Sequence, residues 1–512
     1  MNKKKTINDS RLIALLKALS NREMKALSEF VASPFFNKKE KVRDLLSYLK
    51  KRHPDFPSLY RTQLYQHVFS ENNIISGAEL DGKQDQQLRY AMSDLAKLVE
   101  KYLLYEKQAE NTVREKYQLA EVFLSRNLGK YVPELLRIAE KKQAERPEGE
   151  PTYMHDKYLL SETRLRYQLT LDHIKNVGMQ MAIDNFQHHA LAGQLRLYVA
   201  AISREHSMPG TYNYPMSREL LEHLATNDYT HVPIVDAYYR IFMLFRGEDV
   251  DTHYTRLRRI LMEQNNYFSH FELRYLYTFL LNFCNLHINR GNLEYNKEKF
   301  LVYERTLSEN IWQGGKYISQ DHFILAVRAA LEIKNVSAAK YIIETYNKDL
   351  PPPKKRPDRP TIEYPITHLA YTFLFVAEEK YEEAEVYLIK MGGPPEGFYY
   401  GIYFRLLCTQ IYYELSISTQ KHYCKLLKAD IENLQSYLRY APMSARNKEL
   451  YTNYLKIMKR IYNMRFNKIN PPSQKVLEKI KYDIEDPNLL LVAREWLLKK
   501  INELIEYWNK KR

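Results

Sequence analysis

Residues 377–388 read AEEKYEEAEVYL, in which a charged turn leads into a short helix. The turn is Glu379–Glu382, and the predicted helix covers Glu383–Lys390. Two earlier segments have the same order of turn and helix. Their turns and predicted helices are Arg290–Leu293 before Glu294–Leu307, and Lys334–Ser337 before Ala338–Tyr346. The second half of the chain is therefore predicted to contain an internal repeat of helical hairpins.

The spacing of these turns is nearly constant. Asn335 follows Gly291 by 44 residues, and Lys380 follows Asn335 by 45. A weaker fourth copy has its turn near Leu415–Ser418. Hairpins of this kind cannot bury their apolar faces alone, so they are expected to stack on one another. In two copies a small residue, Ala339 or Ala384, lies early in the second helix and allows a neighbouring helix to approach closely.

The rest of the chain also has helical rather than alternating periodicity. Apolar residues recur every three to four positions in Leu88–Tyr105 and again in Arg446–Phe466. No convincing strand pairs with Asn-Gly or Asp-Gly turns are found. Clusters of proline, such as the one in Pro351–Pro360, interrupt the pattern at expected loops. The predicted fold class is all-α, with antiparallel helix hairpins stacked as an α-solenoid behind an N-terminal helical module.

The chain is too long for one hydrophobic core, because such cores rarely grow beyond about 300 residues. We therefore expect four regions along its 512 residues. They are an N-terminal helical module at 1–110, a middle helical region at 111–265, the repeats at 266–440 and basic C-terminal helices at 441–512. Within the first module, Asn37 is expected to cap a helix with Glu40 at its third position, and Ser33–Asn37 to form a buried aromatic corner.

The segment Ala377–Leu388 resembles a tetratricopeptide-type repeat, and Leu331–Tyr346 is similar to it but more degenerate. The resemblance covers roughly residues 270–430 and implies an α-solenoid used for protein–protein recognition. The period exceeds the ~34 residues of that family. We assign the excess to the loop Pro351–Pro360 and to longer helices. The family pattern Trp-x₂-Leu-Gly is absent, so the resemblance does not extend to a particular ligand.

Two further segments, Ser33–Asn37 and Leu88–Leu103, resemble a family of uncharacterised bacterial helical-repeat proteins of similar length. This second resemblance implies a helical fold and no particular activity.

No motif for catalysis, cofactor binding or metal binding is found. Only 15 of the 512 residues are glycine, and Gly314-Gly315-Lys316 lacks the upstream spacing of a phosphate loop, so it is interpreted as a turn. A GxSxG nucleophile elbow and an HxxxH pair are both absent. His188 and His189 are adjacent and diverge on a helix. We expect a non-enzymatic protein without cofactor or metal, and keep a dispersed active site as the alternative that motifs do not reveal.

The cellular compartment is inferred from cysteine usage and from the N-terminus. The three cysteines, Cys284, Cys408 and Cys424, are far apart, which favours a reducing compartment. The apolar run Leu12–Leu16 is shorter than a signal peptide needs. No uncharged stretch reaches the ~20 residues of a membrane span. These patterns predict a cytoplasmic protein.

Positive charge is concentrated near the C-terminus. The chain has a net charge of +15, and Lys421–Arg512 contains 20 basic against 10 acidic residues. A solvated helix face is the favoured interpretation, while phosphates of a nucleic acid or an acidic protein are alternative partners. Tyrosines between the basic residues would suit base stacking, but they also suit a helical core. The candidate partner-binding residues are Arg439, Arg446, Lys448, Lys456, Lys459, Arg460, Arg465 and Lys468.

The expected function is therefore a protein–protein interaction scaffold that uses a helical-repeat surface. The alternative is a nucleic-acid-binding protein that uses the basic, tyrosine-rich C-terminal face. The sequence identifies neither the partner, nor the pathway, nor the oligomeric state.

Overall fold

The computed structural model describes residues 7–57, 59–69, 80–171, 178–207, 210–263, 265–288, 290–352, 365–418, 421–443, 445–467, 472–486 and 488–510. These residues form twenty-three α-helices and one two-stranded hairpin. The predicted all-α class is thus confirmed. Most of the predicted loop Pro351–Pro360 lies outside the described part of the chain.

The chain divides into two compact units, which are described separately. Unit 1 comprises residues 1–145 and 159–179, and unit 2 comprises residues 146–158 and 180–512. Helix α8 (Pro151–Leu171) contributes its first half to unit 2 and its second half to unit 1.

Unit 1 is built from amphipathic helices around two apolar clusters, one within residues 7–102 and one within 113–160. Several helices begin at polar caps; Ser20 and Glu23, for example, bond each other's backbone amides in a capping box. Its helices besides α8 are α1 (Arg11–Lys17), α2 (Asn21–Ala32), α3 (Glu40–Lys50), α4 (Arg61–Phe69), α5 (Gly82–Glu110), α6 (Thr112–Ser125) and α7 (Val132–Ala144), with a 3₁₀ turn at Gly129–Tyr131.

The segment Ser33–Asn37 is not the buried aromatic corner that we expected. Phe35 is 86% exposed and Phe36 is 37% exposed. The ring of Phe36 instead stacks on Phe30 of α2, with ring centroids 4.0 Å apart. The two phenylalanines therefore lie on the surface of unit 1.

The buried residue of that segment is Asn37, and hydrogen bonding explains why. Its side-chain Nδ2 donates to the carbonyl of Val31 at 3.1 Å, and its Oδ1 accepts from the amide of Lys39 at 2.9 Å. Helix α3 begins after Lys39, not after Asn37, so the expected cap with Glu40 at the third position is wrong. The asparagine satisfies the backbone of the turn, and the turn directs the aromatic rings outward.

Unit 2 contains the repeats and the C-terminal helices. Its helices are α9 (Met179–Ser207), α10 (Ser217–Thr226), α11 (Pro233–Arg246), α12 (Val250–Glu263), α13 (His270–Ile288), α14 (Tyr295–Ser308), α15 (Gln320–Glu332), α16 (Val336–Tyr346), α17 (Pro365–Ala377), α18 (Tyr381–Lys390), α19 (Phe398–Ser418), α20 (Lys421–Arg439), α21 (Ala445–Tyr462), α22 (Gln474–Glu485) and α23 (Arg494–Asn509). Short 3₁₀ turns occupy Asn265–Tyr267 and Asn347–Asp349, and a π-helical turn, Asn463–Asn467, continues α21.

Strands β1 (Gln313–Gly314) and β2 (Tyr317–Ile318) pair antiparallel. They enclose Gly315, which has a φ of 68°. The segment Gly314-Gly315-Lys316 is therefore a hairpin turn, as the sequence predicts.

Four hairpin turns of unit 2 share one backbone geometry. In each, the amide of a residue with positive φ donates to the carbonyl three residues earlier, and the next amide donates to the carbonyl five residues earlier. This is the Schellman arrangement that ends helices. The four positive-φ residues are Gly247, Gly291, Lys334 and Glu379.

These four turns confirm the repeat and extend it upstream. The turns at Gly291, Lys334 and Glu379 fall in the three segments that the sequence predicts. The turn at Gly247, between α11 and α12, adds a copy that the sequence comparison misses. Neighbouring hairpins pack on one another along the chain from α11 to α20. The stacked-hairpin architecture is thus present.

Tyrosine contributes strongly to the core of unit 2. Tyr238, Tyr413 and Tyr454 are among the largest fully buried side chains. Ala339 and Ala384, the small residues early in the second helices, are 0% exposed, as expected where helices approach closely. Much of the tyrosine content therefore serves packing.

Candidate functional site

Unit 2 contains a large groove with a volume of about 1570 Å³. It is lined by residues of α9, α13–α19 and α21–α23, so both the repeats and the C-terminal helices contribute. We call it the central groove. Small-molecule pockets usually measure ~300–1,000 Å³. A smaller cavity beside Tyr254 and Tyr277 measures about 30 Å³, which is room for about two water molecules.

One wall of the central groove carries a three-residue charge network. Glu332 forms an ion pair with Lys299 of α14, and its Oε1 lies 3.5 Å from Nη2 of Arg328, one turn earlier on α15. Burial favours the neutral acid, but Lys299 and Arg328 outweigh it and lower the pKa of Glu332. The guanidinium carbon of Arg328 also lies 4.2 Å from the ring centroid of Tyr403. The network is therefore held rigidly in its charged form.

Tyrosine rings form much of the remaining lining. Burial raises the pKa of Tyr303 and of Tyr451 well above the ordinary value, so both hydroxyls stay protonated. The hydroxyl of Tyr400 donates to Oδ1 of Asp321 at 2.5 Å. The six lining tyrosines are Tyr303, Tyr381, Tyr399, Tyr400, Tyr403 and Tyr451. Of these, Tyr399 is 41% exposed, whereas Tyr303, Tyr400 and Tyr403 are buried in the wall of the groove.

The C-terminal helix α23 is attached to the turns of two repeats. Nζ of Lys334 lies 3.0 Å from Oε2 of Glu495. One repeat further, Glu379 lies 2.5 Å from Nζ of Lys499. The two ion pairs have opposite polarity and involve the positive-φ residues of successive turns. They favour a single register of α23 along the repeats.

A buried ion pair reinforces this attachment. Lys500 is 2% exposed, and its Nζ lies 2.7 Å from Oε1 of Glu414 on α19. The indole nitrogen of Trp496 donates to the same carboxylate oxygen at 2.8 Å. Burial nevertheless raises the pKa of Glu414. Helix α23 is thus tied to α19 as well as to the turns of the repeats.

Two polar atoms in the groove lining have no hydrogen-bond partner among the described residues. One is Nε of Arg446, a donor on α21, and the other is Oδ1 of Asn296, an acceptor on α14. A buried polar group without a partner costs about 1–3 kcal/mol. Both atoms are buried while their side chains are half-buried, so a ligand in the groove meets the exposed remainder of each side chain.

Of the basic residues singled out from the sequence, Arg446 is the one that lines the central groove. Several others interact within the chain. Nζ of Lys448 donates to the carbonyl of Arg439, Nζ of Lys459 donates to Gln435 at 2.5 Å, and Arg460 pairs with Asp483 at 3.1 Å. The structure thus separates Arg446 from these residues.

The remaining predicted residues also lie apart. The guanidinium of Arg465 stacks over the ring of Tyr507, 3.6 Å from its centroid. Arg439 and Lys456 are exposed. Lys468 lies outside the described residues. The described basic residues are distributed over α20, α21 and the turn after α21, and do not line one common groove.

Sequence analysis misses the charge network and Asn296. Arg328 and Glu332 stand four positions apart on a helix, which is also the spacing of an ordinary surface ion pair. Both residues lie on the first helix of the hairpin whose turn contains Lys334, and no local signal distinguishes the groove side of that helix.

No group of three or more potential metal ligands is found among the described residues. His188 and His189 diverge, since the ring of His188 lies near His231 and that of His189 near His155. Within the same residues, no helix combines the length and apolar character that crossing a membrane requires.

Comparison with known proteins adds no assignment. No protein-family model matches the chain, and neither the curated proteins nor the solved structures that were searched gave a match.

Proposed function

We propose that this protein is an interaction scaffold whose central groove takes up a segment of a partner polypeptide. The observation that carries the proposal is the lining of the central groove, where the exposed ring of Tyr399 accompanies two basic side chains that form no ion pair with the described residues, Lys297 and Arg446. An extended polypeptide offers side chains and backbone carbonyls along its length that can contact such a lining.

The size and rigidity of the groove support the same proposal. Its volume of about 1570 Å³ exceeds what a metabolite fills and suits a stretch of several residues. Helix α23 is held to the repeats by Glu379–Lys499 and Glu414–Lys500. A wall ordered in advance lowers the entropic cost of binding.

The stacked hairpins and the resemblance to tetratricopeptide-type repeats in Ala377–Leu388 point to the same class of function. We also propose a cytoplasmic location. All three cysteines, Cys284, Cys408 and Cys424, are free thiols, which suits a reducing compartment.

Nucleic-acid binding is the weaker proposal. Arg460 and Arg465 are engaged by Asp483 and Tyr507, and Arg446 lies apart from them in the groove. The groove lining has a surplus of only two positive charges, which is little for a polyphosphate chain. A salt-dependent mobility shift with single-stranded RNA and duplex DNA tests this alternative.

Site-specific photocrosslinking tests the leading proposal. A photoreactive phenylalanine analogue replaces Tyr399, which lines the groove and is 41% exposed. The matched control replaces Tyr482, which is 75% exposed and is not part of the lining. We expect one discrete protein adduct in the native cytoplasm at Tyr399 and not at Tyr482. Identical adduct patterns at the two positions, or adducts with nucleic acid at Tyr399, would contradict the proposal.

A further inference from the structure

The charges along the central groove do not cancel. Its lining contains seven lysine and arginine residues against five aspartate and glutamate residues, a surplus of two positive charges. Some of these charges are already paired within the chain. The pairing differs between the acidic and the basic residues.

All five acidic residues of the lining have partners. Glu332, Glu379 and Glu495 take part in the ion pairs described above. Glu485 lies 3.8 Å from Lys481, and Asp321 accepts a hydrogen bond from Tyr400. A basic ligand would therefore have to displace an existing partner at each carboxylate.

Two basic residues of the lining remain available. Lys297 is exposed and forms no ion pair with the described residues. Arg446 also forms none, and its half-buried side chain belongs to the lining. Arg494, by contrast, donates to the backbone carbonyl of Asp486 at 2.7 Å. The charges of the groove that have no partner among the described residues are thus positive.

From this asymmetry we propose that the partner segment is acidic, and that Arg446 binds the carboxylate of one of its aspartate or glutamate residues. The inference rests on the proposed function and specifies its ligand. Arginine matches a carboxylate with two parallel donors, and such charge-assisted bonds are the strong ones. The positive charge of Lys297 favours a second acidic residue in the partner segment.

The lining also explains why an acidic peptide fits better than a nucleic acid. A nucleic acid has a negative charge at every nucleotide, whereas the groove has a surplus of only two positive charges. A peptide can place its carboxylates only where the groove is positive. The exposed ring of Tyr399 then provides contact area for the residues between them.

A selection experiment with the full chain tests the inference. The immobilised protein is exposed to a display library of random peptides about 12 residues long, which extend to roughly 40 Å. We expect the recovered peptides to be enriched in Asp and Glu. Their affinity for the Arg446→Glu variant should fall at least about tenfold by fluorescence anisotropy, since a favourable charge pair becomes a repulsive one.

Lys456→Glu is the matched control, because it makes the same charge change on the same helix at an exposed position outside the groove. Its effect should be less than about twofold. Equal losses of affinity in the two variants would show that only long-range electrostatic attraction acts on the peptide. That result would overturn the inference. Recovery of neutral or basic peptides, or of none, would overturn it as well. Either result leaves the proposed function standing if crosslinking at Tyr399 still captures a protein partner.

Discussion

Glu379 occupies the left-handed position of a hairpin turn, and its carboxylate lies 2.5 Å from Nζ of Lys499, 120 residues further along the chain. A residue that the local backbone would prefer to be glycine thus forms a long-range ion pair. The same holds for Lys334 and Glu495 in the preceding repeat. The turns of the repeats serve two purposes, ending a helix and positioning α23.

Exchanging the charges of Glu379 and Lys499 tests this attachment. Both side chains are partly exposed, so the pair should contribute only about 0.5 kcal/mol. Glu379→Lys and Lys499→Glu should each lower the free energy of unfolding, and the double variant should recover most of the loss. Urea denaturation of the four proteins gives the coupling energy. A coupling of zero would show that the contact does not hold α23.

The neighbouring Lys500 should behave very differently from Lys499. Its Nζ is buried against Glu414, and removal of one partner from a buried pair typically costs about 3–5 kcal/mol. Lys500→Met should therefore destabilise unit 2 severely. Lys499→Met is the matched control and should cost less than about 1 kcal/mol.

The double variant Lys500→Met with Glu414→Gln should recover much of that loss, because it removes the buried uncompensated carboxylate. Glu503, the second partner of Lys500 at 2.8 Å, is 42% exposed and stays solvated. Thermal unfolding followed by circular dichroism makes the comparison. Equal stability of the two single variants would contradict the described burial of Lys500.

A pH dependence follows from His322 at the start of α15. It is 3% exposed, its Nε2 lies 2.8 Å from Oγ1 of Thr306, and its ring stacks on Trp312. Burial lowers the pKa of His322 to about 3. Between pH 3 and the ordinary pKa of ~6.5, the unfolded chain binds a proton at this histidine and the folded chain does not. The contribution of His322 to stability is therefore fully present above pH 6.5 and decreases as the pH falls towards 3.

The loss attributable to His322 should reach about 2 kcal/mol at pH 5. His322→Gln keeps a group that can bond Thr306 but does not titrate. It should therefore show a smaller difference between the urea midpoints at pH 7 and pH 5 than the unmodified protein. An unchanged difference would mean that other groups cause the acid sensitivity.

Close approach of helices in the repeats is tested at Ala384. This residue is 0% exposed early in α18, so a larger side chain has no room. Ala384→Leu should destabilise by about 1–3 kcal/mol through overpacking. Ala200→Leu, at an exposed position of α9, should change stability by less than about 0.5 kcal/mol. Comparable losses in both variants would argue against tight packing at Ala384.

The parts of this fold that sequence predicts are those with local signals. Helical periodicity identifies Arg446–Phe466 and Leu88–Tyr105, and both fall within described helices or their continuation. The charged turns near Lys334 and Glu379 establish the repeat period because each one ends a helix. The upstream turn at Gly247 is missed because it shares only a short Arg-Gly pair with the predicted turn at Gly291.

The candidate site is harder to predict from the sequence, since it depends on packing between distant segments. Charge alone singles out Arg446 together with seven other basic residues, and nothing local distinguishes it from Lys456 on the same helix. The orientation of Phe35 was mispredicted for a similar reason. An apolar ring next to a proline indicates burial, whereas the hydrogen bonds of Asn37 place that ring outside.

The most direct test of the central claim is a competition measurement. The protein with the photoreactive analogue at position 399 is crosslinked in cell extract, with and without an excess of the best acidic peptide from the library. We predict that the peptide abolishes the protein adduct, and that the additional substitution Arg446→Glu abolishes it as well. An adduct that survives both the peptide and the Arg446→Glu substitution would contradict binding of a partner segment in the central groove.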